Sequence, residues 1–403
     1  MRSELRLLAI VDAYLPHAGG SRVYYHNLYK SLVEQFPVHA TVLTKQAVGA
    51  KEFDVQESTE QLKIVRRFQT LPNCRYRQLP KAIFPLAEAA SYVLRGKCDL
   101  IHSGDLYPPG AVALTLKRTF GVPYVAFCHG EEITQTDRLR YQSALRDKIY
   151  HSANAVVAAS EFARQNLIRI GIPEQQIQKI NPGVDCERFQ PRPGLPELVR
   201  EHRLEGKIVL LTVARLYARK NHQAVIRALA KLVRDVPNLR YLIVGKGPEE
   251  DSLRALVQSS GLQEVVSFLG YVPEEQLPLL YNVSDAFVMP NRAEPNGDVE
   301  GFGMVFLEAN AAGLPVIGGL SGGTREAVLD GTTGFLVEPD DIEKLHATMH
   351  LLVTNTELRR RMGETGLRRA RNEFTWSRSA RELHELHQRI LQPGLSSAVG
   401  VER

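Results

Sequence analysis

The sequence has few of the residues that are typical of a protein stabilised by disulfides or metal ions. It contains 4 cysteines and 1 tryptophan in 403 residues. Cys74, Cys98, Cys128 and Cys186 lie far apart, with no C-x-x-C pair and no histidine at the spacing of a zinc ligand. These absences argue against a disulfide framework and against a cysteine metal site. They favour a reducing compartment.

Long hydrophobic runs are also missing. No apolar stretch approaches the ~20 residues that a membrane-spanning helix needs. The first four residues lead directly into the strand-like run 5–11, without the pattern of a signal peptide. We therefore expect a cytoplasmic protein.

Charge of either sign is not in large excess. The formal net charge is +5, and no block of arginine and lysine with interleaved aromatic residues indicates a nucleic-acid surface. A mild positive balance is explained more simply by ligands that carry phosphate, or by an anionic membrane surface. We expect no nucleic-acid partner.

What the sequence does contain is typical of a soluble α/β protein with two domains. Hydrophobic residues make up 44% and charged residues 24%, and 403 residues exceed one ordinary core. Short apolar runs alternate with helical patterns, which predicts doubly wound parallel sheets. A break at 191–196 precedes a new buried strand at 207–213, so a linker is expected there.

Residues 294–313 form the element around which the sequence is organised. Glu300 and Glu308 bracket a Gly-Phe-Gly turn and the start of an apolar run, 304–312, that favours helix and ends at Gly313. The free N–H groups and positive dipole of a helix N-terminus suit a diphosphate. Eight residues of helix span about 12 Å. The two carboxylates are thus placed to hold the hydroxyls of two sugars on either side of a diphosphate, as in a nucleotide-sugar. The alternative is a buried amphipathic helix with two solvated acids.

The same stretch resembles the E-x7-E signature of retaining glycosyltransferases, and its wider match, 298–309, is similar to family 4 of these enzymes. The resemblance implies that Glu300 contacts the transferred sugar and that Glu308 holds the ribose. It also implies that backbone amides near the helix start bind the sugar and phosphate, from Phe302, Gly303, Met304 and Val305.

Two further family-like elements lie in the first half of the sequence. Gly19 and Gly20 separate a strand from a helix, where an ordinary turn is the alternative. They match the family's N-terminal glycine loop, which implies a contact with the ligand. His129 ends an apolar run in a context that resembles the family's His-Gly-x-[Asp/Glu] element. The resemblance implies a place beside the donor sugar, whereas a lone histidine is more often structural.

The second half carries a pair of cations and a candidate base site. Arg215 and Lys220 follow a predicted strand and resemble the family's Arg-x4-Lys pair, which neutralises the leaving diphosphate. Solvent-facing charge is the alternative. Arg219 adds a cation for which the resemblance implies no role. Tyr271 and Val272 match the position where the family's nucleotide base meets the backbone.

The resemblance implies the GT-B fold, with two Rossmann-like, doubly wound parallel-sheet domains facing a central cleft. We expect an acceptor-binding domain at 1–195 and a nucleotide-sugar-binding domain at 205–375. A C-terminal helix within 376–403 is expected to cross back to the first domain.

The predicted function is a retaining, metal-independent hexosyltransferase that needs no cofactor. The Asp-x-Asp motif of the metal-dependent fold class of glycosyltransferases is absent. The motif resembles mannosyltransferases somewhat more than other members, which favours GDP-mannose over UDP-glucose or UDP-N-acetylglucosamine. The expected acceptor is a glycan or a lipid-linked sugar. Whether Glu300 acts as nucleophile or positions the sugar stays open, and positioning is favoured.

Specific features of the sequence argue against other classes of protein. A nicotinamide oxidoreductase is opposed because Glu250 stands where the dinucleotide fingerprint has its third glycine. A GT-B nucleotide-sugar epimerase normally lacks the E-x7-E context, and a catalytically silent protein that only binds a nucleotide-sugar, or acts as a membrane scaffold, would have lost the cations. Basic and apolar residues mix within 75–97, which predicts either contact with anionic lipid or a surface helix whose apolar face packs inward.

Overall fold

A computed structural model of the protein describes residues 4–17, 19–68, 79–137, 140–192 and 195–392. The chain divides into two compact units. The first domain comprises Met1–Gly183 together with Trp376–Arg403, and the second comprises Val184–Thr375.

The first domain is built on a parallel sheet of seven strands, whose spatial order is β3-β2-β1-β4-β5-β6-β7. The inner strands are apolar on both faces because helices cover both sides of a doubly wound sheet. The strands are β1 Leu5–Ile10, β2 Val38–Lys45, β3 Leu62–Phe68, β4 Leu100–Ser103, β5 Tyr124–Cys128, β6 Ala155–Ala158 and β7 Ile177–Lys179.

Helices connect these strands as the alternating pattern predicts. They are α1 Gly20–Gln35, α2 Ala50–Glu57, α3 Leu79–Leu94, α4 Ala111–Phe120, α5 Glu131–Thr136, α6 Arg140–Ser152 and α7 Glu161–Arg169. In α3, the described side chains of Leu86, Tyr92 and Val93 pack against the core of the first domain. This favours the surface-helix interpretation for that part of 75–97. Arg75 and Arg77 lie outside the described residues.

The second domain repeats the design with six parallel strands in the order β10-β9-β8-β11-β12-β13. Its strands are β8 Ile208–Val213, β9 Leu239–Val244, β10 Val266–Gly270, β11 Ala286–Met289, β12 Val316–Gly319 and β13 Gly334–Val337. Its helices are α8 Pro196–Glu201, α9 His222–Asp235, α10 Glu250–Ser259, α11 Leu277–Asn282, α12 Met304–Ala311, α13 Thr324–Ala327, α14 Ile342–Thr354 and α15 Thr356–Glu373. The predicted pair of doubly wound parallel sheets is therefore confirmed.

The segment before the Pro-rich break belongs to the second domain, whereas the sequence predicts that the first domain runs to residue 195. The backbone N–H of Val184 donates to the carbonyl of Phe374 at 2.8 Å. The ring of Phe189 packs edge-on against Tyr281 at 5.5 Å between centroids. These contacts move the boundary to Gly183. A proline-rich break marks where regular structure stops, not where apolar side chains change partners.

The last described helix, α16 Trp376–Leu391, belongs to the first domain. The ring of Trp376 lies 5.9 Å from that of Tyr24 on α1. His387 is buried, and its Nε2 lies 2.9 Å from Nε2 of His102 on β4. Among the described residues no helix combines the length and apolar character required to cross a membrane.

Candidate functional site

The candidate donor site lies where loops follow the carboxyl ends of two paired strands of the second domain. Strand β8 pairs with β11, so the loops after them adjoin at one edge of the sheet. A hydrogen bond of 2.8 Å from the backbone N–H of Arg292 to the carbonyl of Arg219 ties these loops together. The first loop carries the predicted cations, and the second leads to the predicted acid.

Glu300 is held by two cations. Nη1 of Arg219 lies 2.6 Å from Oε2 of Glu300, and Nζ of Lys220 donates to the same oxygen. All three side chains are 11–12% exposed. Charges this deep persist only when they are paired, so the three groups form one electrostatic unit.

The ionisation of these groups reflects burial and pairing together. Burial opposes the charge on Glu300, but Lys220 and Arg219 outweigh it and lower the pKa of the carboxyl to about 2. Burial lowers the pKa of Lys220 from its ordinary value, although Glu300 counteracts this. Glu300 is therefore a carboxylate across the physiological range, which suits hydrogen bonds with sugar hydroxyls.

A second glycine pair fixes the backbone of Glu300. The N–H of Gly323 donates to the carbonyl of Glu300 at 2.9 Å. A Cβ on Gly322 would lie 2.2 Å from that carbonyl oxygen, and a Cβ on Gly323 would lie 2.0 Å from the carbonyl oxygen of Gly301. Only glycine permits this close approach of two backbones.

The turn after Glu300 delivers the N-terminus of α12, as predicted. Gly303 precedes the helix with φ of 90°. The ring of Phe302 is buried against Phe374 at 5.8 Å, so only its backbone is placed to meet a ligand. Met304 and Val305 are half-buried in the first helical turn. Their amides have no intrahelical acceptor and remain the predicted partners of sugar and phosphate.

Glu308 lies one turn further along α12 and is held by a tyrosine. The hydroxyl of Tyr281 donates to Oε2 of Glu308 at 2.8 Å. Burial raises the pKa of Glu308 to about 6, even though Tyr281 and Arg188 act in the opposite direction. The role of Glu308 as a ribose ligand stays a prediction.

Arg215 differs from Lys220 in its surroundings. It is exposed, and its guanidinium lies 4.8 Å from the ring centroid of Tyr217. Within the described part of the chain it forms no ion pair. The two members of the predicted pair are therefore unequal: Lys220 is engaged with Glu300, and Arg215 is accessible to a ligand.

The Gly-x-Gly turn after β9 supports the loop that carries Arg215. A Cβ on Gly245 would lie 2.0 Å from the carbonyl oxygen of Ala214, and a Cβ on Gly247 would lie 2.5 Å from that of Leu216. These glycines are needed for packing between two loops. This explains a dinucleotide-like pattern without a dinucleotide.

Tyr271 and Val272 lie at the carboxyl end of edge strand β10. Tyr271 is 66% exposed, and both residues line a pocket of about 670 Å³ between α8 and α11. None of Arg215, Lys220 or Glu300 lines it. Base binding at these two residues stays a prediction.

His129 lies in the first domain, directly after β5. Its Nε2 lies 2.8 Å from the hydroxyl of Tyr25, which itself donates to the carbonyl of Gly104. Its backbone N–H donates to a carboxylate oxygen of Glu132 at 3.0 Å. Burial lowers the pKa of His129 from its ordinary value, so the ring is neutral at pH 7. The ring is fixed, and its predicted contact with the donor sugar stays a prediction.

Gly19 and Gly20 lie where the sequence places them, between β1 and α1. Gly19 has φ of 155°, and α1 begins at Gly20. A Cβ on Gly19 would lie 2.7 Å from Nη1 of Arg22, the end of a flexible side chain. The predicted ligand contact remains untested.

The described residues offer no cluster of side chains suited to a metal ion. Among them no group of three or more His, Cys, Asp and Glu side chains is placed to hold a metal ion. The described cysteines, Cys98, Cys128 and Cys186, are free thiols.

Three residues that contact predicted site residues could not be assigned a role from the sequence. Arg219 is visible as a cation in a basic loop, but its partner Glu300 is 81 residues away. Tyr25 lies on α1 and Tyr281 on α11. Both are fully buried, and only the fold shows that their hydroxyls reach Glu308 and His129.

Comparison with known proteins agrees with this fold. The family model "Glycosyl transferases group 1" matches residues 196–369, and "Glycosyltransferase Family 4" matches residues 18–188. The chain belongs to family 4 of the glycosyltransferases, and it is a hexosyltransferase with the GT-B fold.

Two named relatives and one solved structure resemble this chain over nearly its whole length. The GDP-mannose-dependent alpha-(1-6)-phosphatidylinositol monomannoside mannosyltransferase of Mycolicibacterium smegmatis is 31% identical over 94% of this chain and 97% of its own length. The protein of that name from Mycobacterium tuberculosis H37Rv is 29% identical over 94% and 97%. Anabaena HepE, solved with UDP and glucose, is 20% identical, with a TM-score of 0.80 over 96% of this chain and 100% of that chain.

Proposed function

We propose that this enzyme transfers a mannosyl unit from GDP-mannose to a glycan or lipid-linked acceptor, with retention of configuration and without a metal ion. The observation that supports the donor most directly is the 31% identity, over nearly the whole chain, to an enzyme named as GDP-mannose-dependent. The arrangement around Glu300 and α12 supports the roles of the residues.

In this proposal the second domain binds the donor. Glu308 accepts hydrogen bonds from the ribose hydroxyls, and the first-turn amides of α12 meet the diphosphate at the positive end of the helix dipole. Arg215 and Lys220 add the positive charge that a diphosphate requires. Because side chains supply this charge, no metal ion is needed to neutralise the leaving group.

The cations act most strongly as the bond between the sugar and the diphosphate breaks. Negative charge then develops on the departing GDP, and groups fixed near it stabilise the transition state more than the ground state. Glu300, ionised and held on one side by Arg219 and Lys220, positions the mannosyl ring. His129 is assigned to a hydroxyl of the same sugar.

The transfer step exchanges one bond for another. The acceptor oxygen bonds to C1 of mannose on the face from which GDP departs, and the bond between C1 and the β-phosphate oxygen breaks. The acceptor proton passes to the departing phosphate. Retention follows because attack and departure take place on the same face.

The experiment that tests this function compares donors directly. Purified enzyme is mixed with mannosylated lipid or sugar acceptors and GDP-mannose, UDP-glucose or UDP-N-acetylglucosamine, with and without EDTA. We expect transfer from GDP-mannose, unaffected by EDTA, with an α-linked product by NMR. Transfer from a UDP-sugar alone, a β-linked product, or loss of activity in EDTA would each overturn part of the proposal.

Binding of the nucleotide gives a second test that needs no acceptor. GDP at about tenfold excess over its dissociation constant should stabilise the protein by roughly 1.4 kcal/mol. We expect stabilisation by GDP rather than UDP or NAD. Stabilisation by no nucleoside diphosphate would favour a catalytically silent scaffold.

A further inference from the structure

We propose that Arg219 is a positioning residue, which holds Glu300 against the transferred sugar while Lys220 turns to the diphosphate. This inference rests on the proposed function, because it takes Glu300 as the group that contacts the sugar. The family resemblance implies no role for Arg219, but its contacts with Glu300 and Asp298 indicate one.

The guanidinium of Arg219 bridges two acids of the same loop. Nη1 of Arg219 lies 2.6 Å from Oε2 of Glu300, and Nε lies 3.2 Å from Oδ1 of Asp298. The planar fork of arginine can meet two carboxylates at once in fixed directions. Arg219 thereby fixes both ends of the Asp298–Glu300 segment, which leads into α12.

Arg219 is itself held in place, through both its side chain and its backbone. Its side chain is 12% exposed. Its carbonyl accepts the N–H of Arg292, and it sits in the single 3₁₀ turn Ala218–Lys220 between β8 and α9. A cation anchored by both backbone and side chain loses little freedom on pairing, so it can hold a partner in one orientation.

In the proposed complex, Lys220 is shared between Glu300 and the diphosphate. Both cations donate to Oε2 of Glu300. An ammonium is a point charge that can redirect its donors toward an arriving phosphate. If Lys220 turns in this way, Glu300 would be a poorly compensated buried charge without Arg219. With Arg219 in place, the carboxylate stays ionised and in position.

The charged groups around Glu300 determine in which direction its pKa should change when Arg219 is removed. Lys220 and Arg219 are the groups that lower the pKa of Glu300, in opposition to burial. Arg215 and Arg219 both disfavour the charge on Lys220. Asp298 faces Arg219 from the loop before Glu300. Removal of Arg219 leaves burial opposed by Lys220 alone, and the pKa of Glu300 should rise.

The experiment compares Arg219→Ala, Arg219→Lys and the wild-type enzyme over a range of pH. For Arg219→Ala we expect kcat to fall about 10- to 100-fold, as for the loss of a charged hydrogen bond that orients a reacting group. The KM for GDP-mannose should change much less. The pKa of the Glu300 carboxyl, followed by ¹³C NMR and assigned with Glu300→Gln, should rise by about one unit or more, because an opposite charge has been removed. Added guanidinium should restore part of the rate.

Arg219→Lys keeps the charge but cannot bridge both acids, so its kcat should lie between those of the wild type and Arg219→Ala. Arg254→Ala is the matched control. Arg254 pairs with Glu250 and lies over Phe268, in the same domain but outside the candidate site. Its removal should leave kcat and the pKa of Glu300 unchanged.

Two results would overturn the inference. One is a folded Arg219→Ala enzyme with unchanged kcat and an unchanged pKa of Glu300. The other is a raised KM for GDP-mannose with no change in the pKa of Glu300, which would make Arg219 a phosphate ligand. If the wild type transfers no sugar at all, the proposed function fails instead. A carboxyl titration of Glu300 by ¹³C NMR, assigned with Glu300→Gln, then still decides whether Arg219 lowers its pKa.

Discussion

The hydroxyl of Tyr281 donates a hydrogen bond of 2.8 Å to the carboxylate of Glu308, and this contact joins α11 to α12. Tyr281 is fully buried, and its pKa is raised well above the ordinary value by burial, so it remains a donor at every accessible pH. The orientation of Glu308 is thus set by a residue that meets no predicted ligand.

Loss of that hydroxyl should weaken nucleotide binding. For Tyr281→Phe we expect the affinity for GDP, measured by calorimetry, to fall about tenfold, as for one lost hydrogen bond to a charged group. The matched control is Tyr241→Phe, because Tyr241 is equally buried in the same domain and its hydroxyl bonds to Thr212. Equal effects of the two variants on GDP affinity would contradict a role for Tyr281 in orienting Glu308.

Neutralising Glu308 should stabilise the unliganded enzyme. The native pKa of about 6 exceeds the ordinary value of 4.5, so the folded state binds the proton more tightly. Stability conferred by the protonated form is present below pH 4.5 and is lost as pH rises through 6. At pH 7.5, Glu308→Gln should therefore raise the free energy of unfolding by roughly 1–2 kcal/mol.

The same Glu308→Gln variant should lose most of its affinity for GDP, because the neutral amide is a weaker acceptor for ribose hydroxyls. Denaturant unfolding and GDP calorimetry on one preparation check both expectations. Glu343→Gln, on the exposed start of α14, is the control and should change neither quantity. A destabilised Glu308→Gln protein would show that the native state favours the charged form.

His129 should occupy a single tautomer. Tyr25 donates its own hydrogen to the carbonyl of Gly104, so its oxygen accepts from Nε2–H of His129 and leaves Nδ1 as an acceptor. The ¹⁵N shifts of His129 should report this tautomer in the wild type and a mixture in Tyr25→Phe. Transfer should slow by about tenfold in that variant if the imidazole orients the sugar.

Tyr29→Phe provides the comparison for Tyr25, since Tyr29 stacks on Tyr25 at 6.2 Å and its hydroxyl lies 3.3 Å from Nδ1 of His102. It should leave the tautomer of His129 unchanged. Nδ1–H in the wild-type spectrum would refute the assigned direction of the hydrogen bond.

The helix α16 should make the protein sensitive to acid. Burial lowers the pKa of His387 to about 3, and burial also places that of His102 well below its ordinary value of 6.5. The unfolded chain therefore binds more protons, and stability falls as pH drops below 6.5 toward 3. At pH 5, keeping His387 neutral should cost roughly 2 kcal/mol.

His387→Asn should lose less stability between pH 7.5 and 5 than the wild type, by about that amount for one histidine. Urea unfolding at the two pH values measures the difference. Identical pH dependence in His387→Asn and the wild type would mean that His387 is not buried in its neutral form.

Gly303 should tolerate no side chain. Its φ is +90°, and a Cβ there would lie 2.6 Å from the ring of Phe306. Gly331 has φ of +69° with nothing within 4 Å of such a Cβ, so it isolates the backbone cost. Gly331→Ala should cost about 1 kcal/mol and Gly303→Ala about 2–4 kcal/mol.

The Gly303→Ala protein should also bind GDP less tightly, because the start of α12 must shift to relieve the contact with Phe306. Thermal unfolding with and without GDP measures both effects. Equal destabilisation of the two glycine variants would show that the Phe306 ring yields without cost.

The sequence alone determined the features that depend on local pattern. Apolar runs buried on both faces predicted the parallel strands, and glycines at loop–helix junctions predicted the starts of α1 and α12. The spacing of Glu300 and Glu308, with its family resemblance, located the candidate donor site in the second domain. Each signal lies within about twenty residues, the range over which periodicity and turn chemistry operate.

Only the tertiary structure decided which groups act together. Arg219 meets Glu300 across 81 residues, and Tyr25 lies 104 residues before His129. The boundary at Gly183 likewise depends on where Val184 and Phe189 find partners. Such pairings arise because strands distant in the chain become neighbours in a sheet, and the loops after them meet at one edge. Periodicity in the chain carries no record of that adjacency.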